Sequence, residues 1–134
     1  MTQQYRRKSH TVSLVNYHLV WIPKRRKKVL MGDVEKRLRQ IIWDVALEKE
    51  WNIIALEIMP DHVHLFINVP PNIAPHDVAK AIKGRSSRLL RQEFPHLLKL
   101  PSLWTHSYFV STAGNVSSET IRIYIEEQRH HDTT

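Results

Sequence analysis

Residues 59–65 read Met-Pro-Asp-His-Val-His-Leu, and His62 and His64 are the first residues able to do chemistry. Side chains two apart on a β-strand share a face, so the two imidazoles project together. Val63, Leu65, Ile67 and Val69 then point the other way and supply a buried face. Two imidazoles on an apolar backing are a platform for a divalent ion. Such an ion needs at least one further protein ligand, plus water or substrate. The alternative is two histidines placed by chance on a half-exposed strand of a chain holding nine.

Tyr124 and Gln128 near the C-terminus are four residues apart, one turn of a helix, and so stand on one face. A tyrosine hydroxyl beside a metal ion can attack phosphate. Its pKa near 10 makes it weak alone, and a nearby cation helps to ionise it. The Gln128 amide oxygen is a neutral hard ligand able to complete a His-His-Gln set. Against this, Tyr124 also suits a helix–sheet contact and Gln128 a plain surface position. Tyr5, Tyr17 and Tyr108 are rival nucleophiles. Tyr5 sits in a basic tail, and the other two sit on strands where a core or platform role fits better.

The elements that must position these groups follow from periodicity. Residues 11–22, rich in β-branched and aromatic residues, read as a long strand, with Val15, Tyr17, Leu19 and Trp21 on one face and Asn16 and His18 on the other. Asp33 reads as the N-cap of a helix carrying Val34, Leu38, Ile41, Ile42 and Val45 through about residue 50. Residues 51–59 and 62–69 form a hairpin around Pro60 and Asp61. A second helix runs from Asp77 to about Phe94, with Val78, Ala81, Ile82, Leu89 and Leu90 as its apolar stripe. Gly84 lies in a basic, hydroxylic stripe of that helix, where it serves either close approach of a partner backbone or a packing contact. Residues 104–112 read as a fourth strand. Ser117 or Ser118 caps a last helix. The order β-α-β-β-α-β predicts an α+β, ferredoxin-like antiparallel sheet with helices on one face and an extra C-terminal helix bearing the nucleophile. His62 and His64 then sit on the open face.

Composition bounds the function. The 134 residues suit a single domain, with 42% hydrophobic and 25% charged residues. The absence of cysteine excludes disulfides and cysteine-based zinc sites, and fits a cytoplasmic location. No stretch approaches a membrane span, and the basic start lacks the apolar core of a signal peptide. Net charge is +7, and residues 1–28 hold eight bases and no acid, so the excess is clustered. The cluster is either a phosphate-binding surface or a solvated tail and loop.

Three stretches carry a family likeness: residues 17–30 (Tyr-His-Leu-Val-Trp-Ile-Pro-Lys-Arg-Arg-Lys-Lys-Val-Leu), 59–65, and 124–128 (Tyr-Ile-Glu-Glu-Gln). Residues 103–114 also fit. Together they resemble the single-tyrosine HUH transposases of small bacterial and archaeal insertion sequences, relaxase-like enzymes of single-stranded DNA. The resemblance spans nearly the whole chain. It implies cleavage and rejoining of single-stranded DNA at insertion-sequence ends through a covalent 5′-phosphotyrosine intermediate. Tyr124 would be the catalytic residue, and His62, His64 and Gln128 the ligands of Mg²⁺ or Mn²⁺. It also implies a homodimer with active sites shared between subunits, and recognition of DNA hairpins near the element ends. Relatives often carry an aromatic residue within the run that here reads Lys24-Arg25-Arg26, which bears on DNA contacts and not on chemistry.

Charge nominates Arg25, Arg26, Lys27, Lys28, Lys83, Arg85 and Arg88 for phosphate contacts. His18, in a matching stretch and on the expected open face, has either a place near the site or a structural role, the second being favoured. Trp104, Tyr108 and Phe109 are candidates to stack on bases, with core roles expected for two of the three. Other readings are a non-catalytic nucleic-acid-binding module indifferent to metal, a domesticated endonuclease cutting chromosomal repeat hairpins, and a zinc hydrolase. The last lacks the further His or Asp ligands that such sites recruit, since Asp61 is more simply a turn residue.

Overall fold

A computed structural model describes residues 14–112 and 118–133, apart from the side chains of 118 and 128–133. Its elements are β1 (Val15–Trp21), α1 (Gly32–Lys49), β2 (Asn52–Met59), β3 (His62–Val69), α2 (Pro75–Glu93), β4 (Phe109–Ser111) and α3 (Ser118–Thr133). Short 3-10 turns occupy Lys24–Arg26 and Pro95–Lys99. The four strands form one antiparallel sheet in the order β2-β3-β1-β4. The sheet and its helices are α+β, as the sequence predicts.

Burial follows the alternation. Leu19, Trp21, Val63, Leu65 and Ile67 are fully buried against Val34, Leu38, Ile41, Ile42 and Val45 of α1 and Val78, Ile82 and Leu90 of α2. On the other face, Val20 and Ile22 pack with Tyr124 and Ile125 of α3. The sheet is thus covered on one side by two helices and on the other, in part, by the third.

Local chemistry sets the boundaries. Helix α1 starts at Gly32, with Met31 at the N-cap position and no side-chain cap, so Asp33 serves in the first turn and not as the cap. It ends in a Schellman motif: the Trp51 N–H donates to the Ala46 carbonyl (2.8 Å) and the Glu50 N–H to Leu47 (3.2 Å). Glu50 holds the left-handed conformation (φ 61°) that this motif demands. Helix α2 begins two residues before the expected start. Pro75 suits the first turn, and Asp77 reaches back to accept from the Ala74 N–H (2.9 Å).

The fourth strand is shorter than the sequence suggests. Only residues 109–111 pair with β1, while Trp104 makes an isolated bridge to Pro23. The Lys83 ammonium donates to the carbonyls of Thr105 (2.8 Å), His106 (3.5 Å) and Ser107 (3.2 Å) in the segment between that bridge and the strand. Ser117 and residues 11–13 lie outside the described residues. Gly84 has open space where a Cβ would sit, so it makes no packing contact.

Gly84→Ala should therefore raise stability by about 0.5–1 kcal/mol, because helix propensity improves and nothing is displaced. Urea unfolding with an unchanged m-value checks this.

Candidate active site

The two-residue turn at Pro60 and Asp61 sets β3 so that His62 lies opposite Met59 of β2 and His64 opposite Glu57. His64 also pairs across the sheet with Val20 of β1. Both imidazoles line a cleft of about 390 Å³ with Arg26, Glu57, Met59, Asp61 and, from α3, Ile121, Arg122 and Ile125. Both imidazoles therefore lie on the face away from α1 and α2.

Each imidazole has a carboxylate behind it. Asp61 Oδ1 lies 3.0 Å from His62 Nδ1. A carboxylate only accepts, so the proton belongs on Nδ1 and Nε2 is left as the lone-pair nitrogen. Glu57 Oε1 lies 3.4 Å from His64 Nδ1, which assigns the same tautomer. His64 Nε2 then accepts from His18 Nδ1 at 3.2 Å. His18 is buried and stacks on Phe66, with ring centroids 4.0 Å apart and planes 7° from parallel. It thus lies beside His64 and is held by packing. Burial lowers the His64 pKa, and the nearby His18 adds to that, against the pull of Glu57. The ring is neutral at pH 7 and able to bind an electrophile.

Arg26 joins this group from the turn after β1. Its Nε donates to Asp61 Oδ2 (2.8 Å) and its terminal nitrogen to Glu126 Oε1 of α3 (2.9 Å). Burial pushes the Asp61 carboxyl up, but the hydrogen bonds from Arg26 and His62 outweigh it and hold the group below the usual carboxylate range.

Tyr124 lies on the histidine side of the sheet but does not line the cleft. Its ring packs near Phe109 (centroids 5.9 Å apart), and its hydroxyl lies 3.5 Å from Ser107 Oγ. The structure therefore brings His62 and His64 together and leaves the Tyr124 hydroxyl at a different spot. Gln128 belongs to α3, but its side chain lies outside the described residues. Among the described residues no three His, Asp, Glu or Cys side chains form an ion-binding group. The lone-pair nitrogen of His62 is chemically suited to a divalent ion, whereas that of His64 is engaged by His18.

The rival tyrosines are engaged elsewhere. The Tyr17 hydroxyl donates to the Ile73 carbonyl (2.6 Å) on the helix side of the sheet, and burial raises its pKa. Tyr108 lies beneath the Lys83 ammonium, 5.9 Å from its ring centroid, and Tyr5 lies outside the described residues. Of the candidate stacking aromatics, Trp104 is buried with its indole N–H on Ser86 Oγ (3.0 Å), and Phe109 packs on Tyr124. Tyr108 in turn packs against the large core, so all three contact an apolar cluster, one more than expected.

The basic candidates divide. Arg25, Lys27, Lys28 and Arg88 are exposed. Arg85 pairs with Glu48 of α1 (2.5 Å), on the helix layer away from the histidines. Lys83 is spent on three loop carbonyls. Sequence reasoning missed the Arg26–Asp61–His62 chain and Ser107. Only the adjacency of Asp61 to His62 signals the first, and nothing local signals the second.

An antiparallel α+β sheet that presents paired strand histidines beneath a C-terminal tyrosine helix defines a recognisable class. A family model described as "Transposase IS200 like" matches residues 11–128, so the chain belongs to the IS200-like transposases. DNA cleavage and strand transfer are the activity class of that family. The ISDra2 transposase TnpA of Deinococcus radiodurans is 38% identical over 117 residues, covering 85% of this chain and 84% of that protein. The transposase of insertion sequence IS200 from Salmonella typhimurium is 28% identical over 127 residues, covering 92% and 83%. A crystal structure of a Deinococcus radiodurans protein superposes with TM-score 0.82 at 39% identity, covering 90% of this chain and 95% of that one. A REP-associated tyrosine transposase bound to a REP hairpin shares the fold (TM-score 0.54, 18% identity, 87% and 61% covered). No described helix is long and apolar enough to cross a membrane.

Burial lowers the Lys83 ammonium from 10.5 to about 8. The unfolded chain then binds more protons between those values, so stability rises as pH climbs from 8 to 10.5. Lys83→Met should remove roughly 1–2 kcal/mol of that rise, allowing for partial exposure to solvent. Denaturant titrations across the interval measure it.

Proposed function

We propose that this transposase cleaves and rejoins single-stranded DNA at the ends of an insertion sequence, with Tyr124 as nucleophile and a covalent 5′-phosphotyrosine intermediate. His62, His64 and Gln128 would hold Mg²⁺ or Mn²⁺. Bound there, the ion would supply positive charge to a non-bridging phosphate oxygen and orient the scissile bond. The observation that carries the reading is the pair of imidazoles, each backed by a carboxylate, in a cleft roofed by the helix that bears Tyr124.

The residues have distinct tasks. Asp61 and Glu57 fix the imidazole tautomers so that Nε2 faces the electrophile. For His64, that requires its contact with His18 to give way. The Tyr124 oxygen attacks phosphorus. An O–P bond forms to tyrosine, the bond to the 3′-oxygen breaks, and the departing strand leaves with a protonated 3′-hydroxyl. Rejoining reverses this, with a 3′-hydroxyl attacking and the phenol leaving. One phosphodiester is exchanged for another bond of similar energy, so no ATP is consumed.

Because the Tyr124 hydroxyl lies against Ser107, catalysis calls for α3 to shift or for the helix of a second subunit to supply the tyrosine. A homodimer with shared sites satisfies the second route. Arg25, Lys27, Lys28 and Arg88 are suited to track the phosphates, and hairpins near the element ends are the substrates in this reading.

Incubating the protein with a single strand from an element end and Mg²⁺, followed by a denaturing gel, should show a protein–DNA adduct. Tyr124→Phe should abolish it, and an undiminished adduct in that variant rejects the assignment. The double substitution Lys27→Ala, Lys28→Ala should flatten the dependence of log affinity on log salt by about 0.7 for each phosphate no longer neutralised. Fluorescence anisotropy across a salt series reads that slope.

A further inference from the structure

The run after β1 reads from its charge as four equivalent phosphate contacts, yet Arg26 differs from its neighbours. Arg25, Lys27 and Lys28 are exposed, whereas Arg26 is half-buried in the histidine cleft. Its guanidinium spans two carboxylates from different elements, Asp61 at 2.8 Å and Glu126 at 2.9 Å. The three side chains carry a net charge of −1, which disfavours a phosphate there.

We infer that Arg26 is a positioning residue: through Asp61 it fixes the plane and tautomer of the His62 imidazole, while Glu126 anchors the far end of its guanidinium. This rests on the catalytic reading above and deepens it. An aspartate holding one partner can still turn about its carboxylate bond. Asp61 has both oxygens committed, Oδ1 to His62 and Oδ2 to Arg26, so its plane is set and His62 Nδ1 keeps its proton. The flat fork of arginine suits this, since its donors leave in fixed directions, and a lysine offers only a point charge.

The backbone supports a specified geometry. Arg25 (φ 60°) and Arg26 (φ 52°) are successive left-handed residues, and neither is glycine. That conformation crowds Cβ against the backbone and is unfavourable for both. Such strain persists where the surroundings over-determine the chain. The Lys24 N–H on the Leu103 carbonyl (2.8 Å) and the Arg26 N–H on Pro23 (2.9 Å) hold the turn from inside, and the two carboxylates hold the Arg26 side chain from outside.

The test uses Arg26→Ala and Arg26→Lys in the full chain. Nitrogen-15 NMR of the histidine rings, with His62 assigned by its loss in His62→Gln, should show the Nδ1–H form in wild type and mixed tautomers in both variants. Single-turnover adduct formation at saturating element-end DNA should fall about 10–100-fold, the range typical for losing a partner that orients a ligand. Affinity for oligothymidylate should stay within about twofold, and the salt slope should not change. An unchanged His62 tautomer overturns the inference, as does a salt slope lowered by about 0.7 with the saturated rate intact. Should Arg26→Ala fail to fold, Arg26→Lys carries the same readings with charge retained. Failure of the catalytic reading shows separately, as an adduct that survives Tyr124→Phe.

Discussion

Alternation along β3 is the constraint on which the site depends. Val63, Leu65 and Ile67 are fully buried against the helices, and Val69 nearly so. Each such side chain gains about 1.5–3 kcal/mol on leaving water. A slip of one residue would turn all four outward and drive His62, His64 and Phe66 into the core. The loss of roughly 6–12 kcal/mol in burial alone would rival the whole stability of an ordinary domain. The imidazoles face the cleft because their neighbours cannot face it. Helices α1 and α2 serve the chemistry by holding the opposite side.

That backbone constraint delivers the histidines to the correct face and leaves their rings able to turn. Charge does the finer work. Asp61 is drawn in two directions, toward His62 and toward Arg26, and its carboxyl stays ionised despite partial burial because both partners favour the anion. His64 experiences the opposite balance, with burial and His18 keeping it neutral. A neutral imidazole with a fixed lone pair is what a Lewis acid requires. The same cleft thus keeps a carboxylate charged and a histidine uncharged.

Much of this is legible in the sequence because it is periodic. The span 62–69 of β3, the faces of β1 and the core of α1 follow from repeats of two and 3.6, which are local. Features resting on distant partners are not legible. Arg26 meets Asp61 across 35 residues and Glu126 across 100, so in sequence it is one more base in a basic run. Lys83 reads as part of a phosphate stripe until the 105–107 carbonyls close on it. The early start of α2 escapes for a local reason: Asp77 resembles the beginning of a helix in which it occupies the third position. Gly84 reads as either contact or approach site, and only coordinates show the space beside it.

The weights of the two apolar clusters bear on how the tyrosine could work. Among the described residues, the cluster beneath α1 and α2 holds 23 buried residues and the one beneath α3 holds four, Tyr124 among them. Among the described residues, lifting α3 would uncover Tyr124, Ile125 and part of Ile121 together with Val20, Ile22 and part of Phe109 beneath them. Breaking the Arg26–Glu126 pair, with Glu126 half in solvent, adds little. Opening confined to one weakly held element costs less than unfolding the domain. Position and attachment therefore agree. The proposed nucleophile sits away from the imidazoles, in a helix whose described side chains join the smaller cluster, while the imidazoles sit on a strand packed into the larger one. A reaction that forms and later breaks a bond to tyrosine suits that division, because the tyrosine helix can change partners while the strand backbone that carries the histidines stays fixed.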